Sequence, residues 1–179
     1  RGEVPPVDDD LHAAAYEAAD ARLTAAGYHW YEVSNWATAP EQRSRHNRAY
    51  WTGQDWWGVG PGAHSHVGGL RFGNPRALEV WRRAAVGGGD PTSWTERLDP
   101  GHRLGETWWL GLRLAEGLDP VAAREISGVD PAADLCLPAA KRMALEGLLA
   151  ESHGRWHLTA RGLELADAVS AELLAAGRA

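Results

Sequence analysis

The first pattern along the chain is a three-to-four-residue spacing of apolar positions, Leu11, Ala15, Ala19, Leu23 and Ala26, behind Asp8-Asp9-Asp10 and ahead of Gly27. Apolar residues at that spacing share one face of a helix. Carboxylates favour the positive N-terminal end and glycine suits the stop, so a helix over about residues 10–26 is predicted. Tyr28-His29-Trp30-Tyr31-Glu32-Val33 then combines aromatic and β-branched residues that suit a pleated sheet, ending at Ser34-Asn35. A helix leading directly into a strand is the unit of a parallel α/β sheet.

Residues 35–74 lose this regularity and fill with glycine, histidine and aromatic side chains. Only short pieces such as Trp56-Trp57-Gly58-Val59-Gly60 look strand-like, so the segment reads as a long loop region, too aromatic for disorder and hence functional. A short helix is predicted from Ala77 to Ala85, and Gly87-Gly88-Gly89-Asp90-Pro91 breaks the chain, which places a domain boundary near 87–100. The two parts are then 1–90 and 91–179.

From Pro100 the periodicity becomes helical again. Leu104, Trp108, Leu112 and Ala115 recur at helical spacing up to Gly117, and Asp119-Pro120 opens a short helix. A longer helix is expected over about 135–150, with Pro138 early in it or breaking it. Arg155-Trp156-His157-Leu158 reads as a strand, and Thr159 as the cap of a last helix carrying Leu163, Ala166, Val169 and Leu173. Three helices, a small hairpin and a final helix are the parts of a winged-helix-like module.

Composition changes this picture mainly by exclusion. With 44% hydrophobic and 23% charged residues the chain is an ordinary globular one. Cys136 is the single cysteine, which excludes an intrachain disulfide, a zinc site on two thiolates and an iron–sulfur cluster held by three or four cysteines of this chain. A net charge of −6 without a basic run disfavours nucleic acid as a partner. No stretch has the apolar length of a transmembrane segment, and the start Arg1-Gly2-Glu3 shows neither an initiator methionine nor a signal peptide. The expectation is a cytoplasmic protein of which this chain is a fragment.

The densest cluster of chemistry is Arg45-His46-Asn47-Arg48-Ala49-Tyr50-Trp51. The His46 imidazole can ligate iron while Tyr50 and Trp51 stack on a flat conjugated ligand; equally, His46 and Asn47 can bond loop backbone while the rings fill the core. Gly58-Val59-Gly60-Pro61-Gly62-Ala63-His64-Ser65-His66 lets backbone approach a ligand closely, or forms an ordinary tight turn. His64 and His66 are expected to diverge and not to share a metal. Glu32, Ser34 and Asn35 at a strand end are pocket candidates or a solvated strand end, with no acid/base partner for Glu32 at short range. Trp108, Trp109 and Trp156 are assigned to packing.

Three blocks taken together carry a resemblance: Tyr31-Glu32-Val33-Ser34-Asn35-Trp36-Ala37, His46-Asn47-Arg48-Ala49-Tyr50-Trp51, and Gly58-Val59-Gly60-Pro61-Gly62-Ala63-His64-Ser65. In order and spacing the chain resembles the oxygen-independent coproporphyrinogen III oxidase-like radical S-adenosylmethionine (SAM) proteins. The second block fits the His-Asn-x-x-Tyr-Trp pattern of their HemW, or haem-chaperone, branch. Arg113-Leu114-Ala115-Glu116-Gly117-Leu118-Asp119 and Leu158-Thr159-Ala160-Arg161-Gly162 resemble the helical C-terminal domain of the same family.

That resemblance implies an α/β fold made of the terminal βα units of a partial radical-SAM (β/α) barrel, followed by a small helical, winged-helix-like domain. It implies haem binding by His46, Asn47, Tyr50 and Trp51, with His46 as the metal ligand, and a contact of Pro61, Ala63 and His64 with SAM. The family's Cys-x-x-x-Cys-x-x-Cys loop for a 4Fe-4S cluster does not occur in the chain, so the segment is expected to be the C-terminal portion of a longer protein and to perform no radical chemistry alone. The implied function is haem binding and transfer to an acceptor haemoprotein. The alternatives are coproporphyrinogen III oxidation in porphyrin biosynthesis and a non-catalytic protein-docking module.

Overall fold

The computed structural model describes residues 8–178, so the start Arg1-Gly2-Glu3 lies outside the described residues. Helix α1 (Asp9–Ala25) forms as its sequence predicts: the Asp8 carboxylate accepts from the Leu11 N–H at 3.1 Å, and the chain turns at Gly27. Its packing face differs from the apolar row. Leu11, Ala15, Ala19 and Ala26 are exposed, and the half-buried residues are Tyr16, Asp20 and, from the predicted row, Leu23. The Tyr16 hydroxyl donates to the Val33 carbonyl at 2.8 Å, and the Trp36 indole donates to Asp20 at 2.7 Å. Those polar anchors set the rotation of α1, which alanines at the other positions bury too little area to oppose.

Strand β1 (His29–Glu32) is where the sequence places it, but its neighbour is β2 (Asn35–Ala37), antiparallel across a two-residue turn at Val33-Ser34. Every strand pair among the described residues is antiparallel, and no closed barrel is present among them. The region read as a long loop is ordered as a 3-10 turn at Pro40–Gln42, helix α2 (Arg45–Trp51), and the hairpin β3 (His64–Val67) and β4 (Leu70–Gly73). Of the strand-like Trp56–Gly60 piece, Trp56 alone pairs, with His66. Helix α3 (Leu78–Val86) follows, and β5 (Trp94–Arg97) pairs with β4, so a boundary at 90/91 leaves this three-stranded sheet spanning it.

Helix α4 (Pro100–Gly111), capped by the Asp99 carboxylate, ends a turn earlier than its periodicity predicts, and Leu112 and Ala115 continue in tight turns. Asp119 caps α5 (Pro120–Ser127), and α6 (Cys136–Leu145) carries Pro138 in its first turn, where a missing N–H costs nothing. Leu149, expected in that helix, instead begins β6 (Leu149–Ser152), which pairs with β7 (Arg155–Leu158). Thr159 caps the final helical stretch as predicted, but the stretch is broken at Leu165 into α7 (Ala160–Glu164) and α8 (Ala166–Ala176). The core lies here: Leu104, Trp108, Leu118, Met143, Trp156 and Leu173 are all buried in one cluster.

Candidate functional site

The site is built on the end of β1. Glu32 is 1% exposed, and its carboxylate accepts from Asn47 Nδ2 at 3.1 Å and from the Trp51 indole Nε1 at 2.9 Å. Asn47 and Trp51 are four apart, so they rise on one face of α2 and one carboxylate can hold both. The N-terminus of α2 is fixed by Ser44, whose hydroxyl accepts from the Asn47 N–H at 3.2 Å while its own N–H donates to the Tyr31 hydroxyl at 3.1 Å. Tyr31 and Glu32, neighbours on β1, thus hold the two ends of the seven-residue helix.

With Asn47 and Trp51 turned inward, the opposite edge of α2 faces out. His46 is exposed, and its ring meets Tyr50 edge-on with centroids 4.9 Å apart. Tyr50 meets Trp56 at 4.6 Å, and Trp56 meets His66 at 4.9 Å, making a continuous file of four rings from α2 to β3. His66 Nδ1 lies 3.2 Å from the Gln54 carbonyl; a carbonyl only accepts, so Nδ1 is the donor. His64 and His66, expected to diverge, lie on the same side of β3, because residues two apart on a strand share a face. Ser65 between them points away and accepts from the Gly58 N–H at 2.9 Å.

These residues border a cavity of about 470 Å³ between β3–β4 and α4. Tyr50, Trp51 and His64 line it together with Trp56, His66, Trp94 and Trp109; His46, Asn47, Pro61 and Ala63 do not. Trp109, assigned to packing by sequence, is instead half-buried at this wall. Trp108 and Trp156 are packing residues as expected, at 0% and 6% exposure. Ser34 is exposed and Asn35 lies in β2, so neither joins Glu32 in the site.

The C-terminal domain completes the back of the site. The Ala115 N–H donates to the Tyr31 carbonyl at 3.0 Å and the Val33 N–H to the Arg113 carbonyl at 3.3 Å, so the 113–115 segment runs beside β1. The Arg113 guanidinium lies between two indoles, 5.5 Å from the Trp51 ring centre and 4.9 Å from that of Trp109. Arg43 and Arg48, flanking the start of α2, both bind Glu116, the former at 2.9 Å. Burial works against the charged form of Glu116, but the hydrogen bond and charge of Arg48, with the charge of Arg43, outweigh it and hold the carboxyl below its ordinary value. Arg113 and Glu116 were legible in sequence only as parts of the C-terminal block, with no role at this site.

The glycine-rich loop is a tight turn. Pro61 and Gly62 occupy its middle, with φ of +69° at Gly62, and the Ala63 N–H closes it onto the Gly60 carbonyl at 3.3 Å. Asn74 braces it: its side chain donates to the Gly60 carbonyl at 2.8 Å and its N–H to the Ala63 carbonyl at 2.9 Å. At Gly58 a Cβ would stand 2.1 Å from the His64 carbonyl oxygen, so only glycine permits that approach. Of Pro61, Ala63 and His64, it is His64 that borders the cavity, with its ring 5.1 Å from that of Trp94.

The donor set discriminates among cofactors. An outward imidazole on an aromatic file beside a large aromatic-walled cavity suits a flat conjugated ligand. A thiolate-bound cluster is not accommodated: Cys136 is fully buried in the helical core, its thiol is pushed up to about 12 by burial and the nearby Asp134 charge, and it donates to the Leu173 carbonyl. Among the described residues no group of three or more His, Cys, Asp or Glu side chains could hold a metal ion. No helix among them is long and apolar enough to cross a membrane.

The architecture, a partial α/β unit followed by a helical C-terminal domain, is that of a C-terminal portion of the coproporphyrinogen III oxidase-like fold. Residues 98–165 match the HemN C-terminal domain family. The heme chaperone HemW of Mycobacterium tuberculosis is 41% identical over 179 residues, taking in 97% of this chain and 42% of that protein. HemW of Bacillus subtilis is 30% identical over 174 residues, taking in 94% and 44%. The structure of the coproporphyrinogen III oxidase HemN from Escherichia coli, a radical SAM enzyme, is similar with a TM-score of 0.65 over 88% of this chain and 39% of that one, at 16% identity, a likeness of fold. The chain belongs to this family as a HemW-like C-terminal portion, and it spans less than half the length of these relatives.

Proposed function

We propose that the chain is the haem-binding C-terminal portion of a haem chaperone. Haem is its cargo: His46 is the iron ligand, Asn47 and Trp51 fix α2 through Glu32, and Tyr50 begins the aromatic wall. The observation that carries this reading is the junction of an outward imidazole with the Tyr50–Trp56–His66 file at the cavity. Pro61, Ala63 and His64 form the edge facing SAM in the full-length protein, where the 4Fe-4S cluster belongs to residues outside this chain. Transfer is to an acceptor haemoprotein, in the cytoplasm, with no nucleic acid involved.

The test is a haem titration followed at the Soret band, on the full-length protein and on this chain. His46→Ala is expected to weaken binding at least tenfold and to shift the band, as loss of one metal–imidazole bond requires. An unchanged titration and spectrum would remove the assignment. The fold likeness to the Escherichia coli oxidase supports a second reading, coproporphyrinogen III oxidation, and turnover of coproporphyrinogen III by the full-length protein would favour it over haem transfer.

A further inference from the structure

The cavity has a basic rim that the haem-motif residues do not explain. Arg71, Arg103 and Arg155 line it, and Arg97, exposed on β5 and not itself in the lining, reaches the lining residue Gly69. Their charges are disposed differently. Arg71 is neutralised by Glu106 at 3.0 Å and Glu96 at 3.4 Å. Arg155 is spent on the Glu116 and Gly117 carbonyls, both at 2.7 Å. Arg97 donates through one nitrogen to the Gly68 carbonyl at 3.3 Å, leaving its other N–H groups free of protein partners, and neither it nor Arg103 has a carboxylate within ion-pair distance among the described residues. Yet they converge: their guanidinium nitrogens come within 3.6 and 3.3 Å of the point where a Cβ on Gly69 would stand.

Two guanidinium groups without a carboxylate partner, brought close to one point at the exposed rim, together favour an anion placed between them. The acidic residues of the wall do not serve, since Glu106 is held by Arg71 and Asp119 caps α5 through the Val121 and Ala122 N–H groups. We infer that Arg97 and Arg103, presented over Gly69, form a carboxylate subsite that receives the propionate edge of the porphyrin whose ring lies on the aromatic wall. The inference rests on the haem reading and adds the group that orients the ligand. Guanidinium is suited to the task, because its fork of N–H donors matches a carboxylate.

The test compares haem with haem dimethyl ester, whose propionates are blocked, titrated into this chain with and without the double substitution Arg97→Gln/Arg103→Gln. The unaltered chain is expected to bind haem about tenfold more tightly than the ester, as one charge-assisted contact requires, and the double variant to bind both alike. Arg103→Lys, which keeps the charge, should retain part of the preference. Equal binding of haem and ester by the unaltered chain, or equal weakening of both ligands in the double variant, would overturn the subsite and leave haem binding standing. If the unaltered chain binds neither ligand, the haem reading itself falls, and the subsite with it.

Discussion

Replacing Glu32 by Ala removes the one group that joins β1 to both inward side chains of α2. Two hydrogen bonds to a buried carboxylate are lost, from Asn47 and Trp51, each worth about 1.5–2 kcal/mol when the acceptor is charged. Their two donors, on half-buried side chains, lose their acceptor at a position where Glu32 itself is 1% exposed. The expected loss is about 3–4 kcal/mol, or roughly 10 °C in melting temperature for a chain of this size. Glu32→Gln keeps the shape and one acceptor, and should cost about half as much. Urea unfolding followed by tryptophan fluorescence measures both. A double-mutant cycle with Trp51→Phe isolates the indole bond and should give a coupling of about 1 kcal/mol or more. Additive losses in that cycle, or a Glu32→Ala penalty under about 1 kcal/mol, would refute the assignment of Glu32 as the keystone of the site.

Two further outcomes test the surroundings. Glu116 has its folded pKa held below the ordinary 4.5, so the stability it supplies is complete above that value and is lost as pH falls through the lower folded one. The difference in urea midpoint between the unaltered chain and Glu116→Gln should therefore close on acidification below about pH 4.5, and a difference that widens would contradict the Arg43–Arg48–Glu116 cluster as its source. Gly58→Ala would place a Cβ 2.1 Å from the His64 carbonyl oxygen and should cost about 2–4 kcal/mol. An unaltered urea midpoint would show that the turn yields there at no cost.

How much of this was legible in the sequence depended on whether the determining contacts are local. Asp8, Asp119 and Thr159 mark helix starts because a cap bonds two or three residues ahead, and all three do so in the structure. Helix α2 was hidden because seven residues show barely two turns of period, and its stability comes from Tyr31 and Glu32, 13 to 19 residues away. The apolar row of α1 gave the right period, but of its members only Leu23 is half-buried, because Tyr16 and Asp20 find distant partners in Val33 and Trp36 and turn the helix onto their face. The motif block singled out His46, Asn47, Tyr50 and Trp51, of which Tyr50 and Trp51 line the cavity. The cavity wall opposite them, from Trp56 to Arg103, is assembled by hairpin and helix packing that no spacing along the chain encodes.

The segment running beside β1 also fixes how the two halves communicate. Residues 113–116 hydrogen-bond to β1, stack on Trp51 through Arg113 and hold α2 through Glu116. Any ligand of the helical domain that displaces this segment therefore changes the free energy of placing α2. Linkage makes such an effect mutual: whatever factor a ligand of the helical domain imposes on a ligand held by α2, the second imposes on the first. The same four-residue stretch also reaches the last helix, where Arg113 lies 3.8 Å from the exposed Asp167 carboxylate, so β1, α2 and α8 all meet at it.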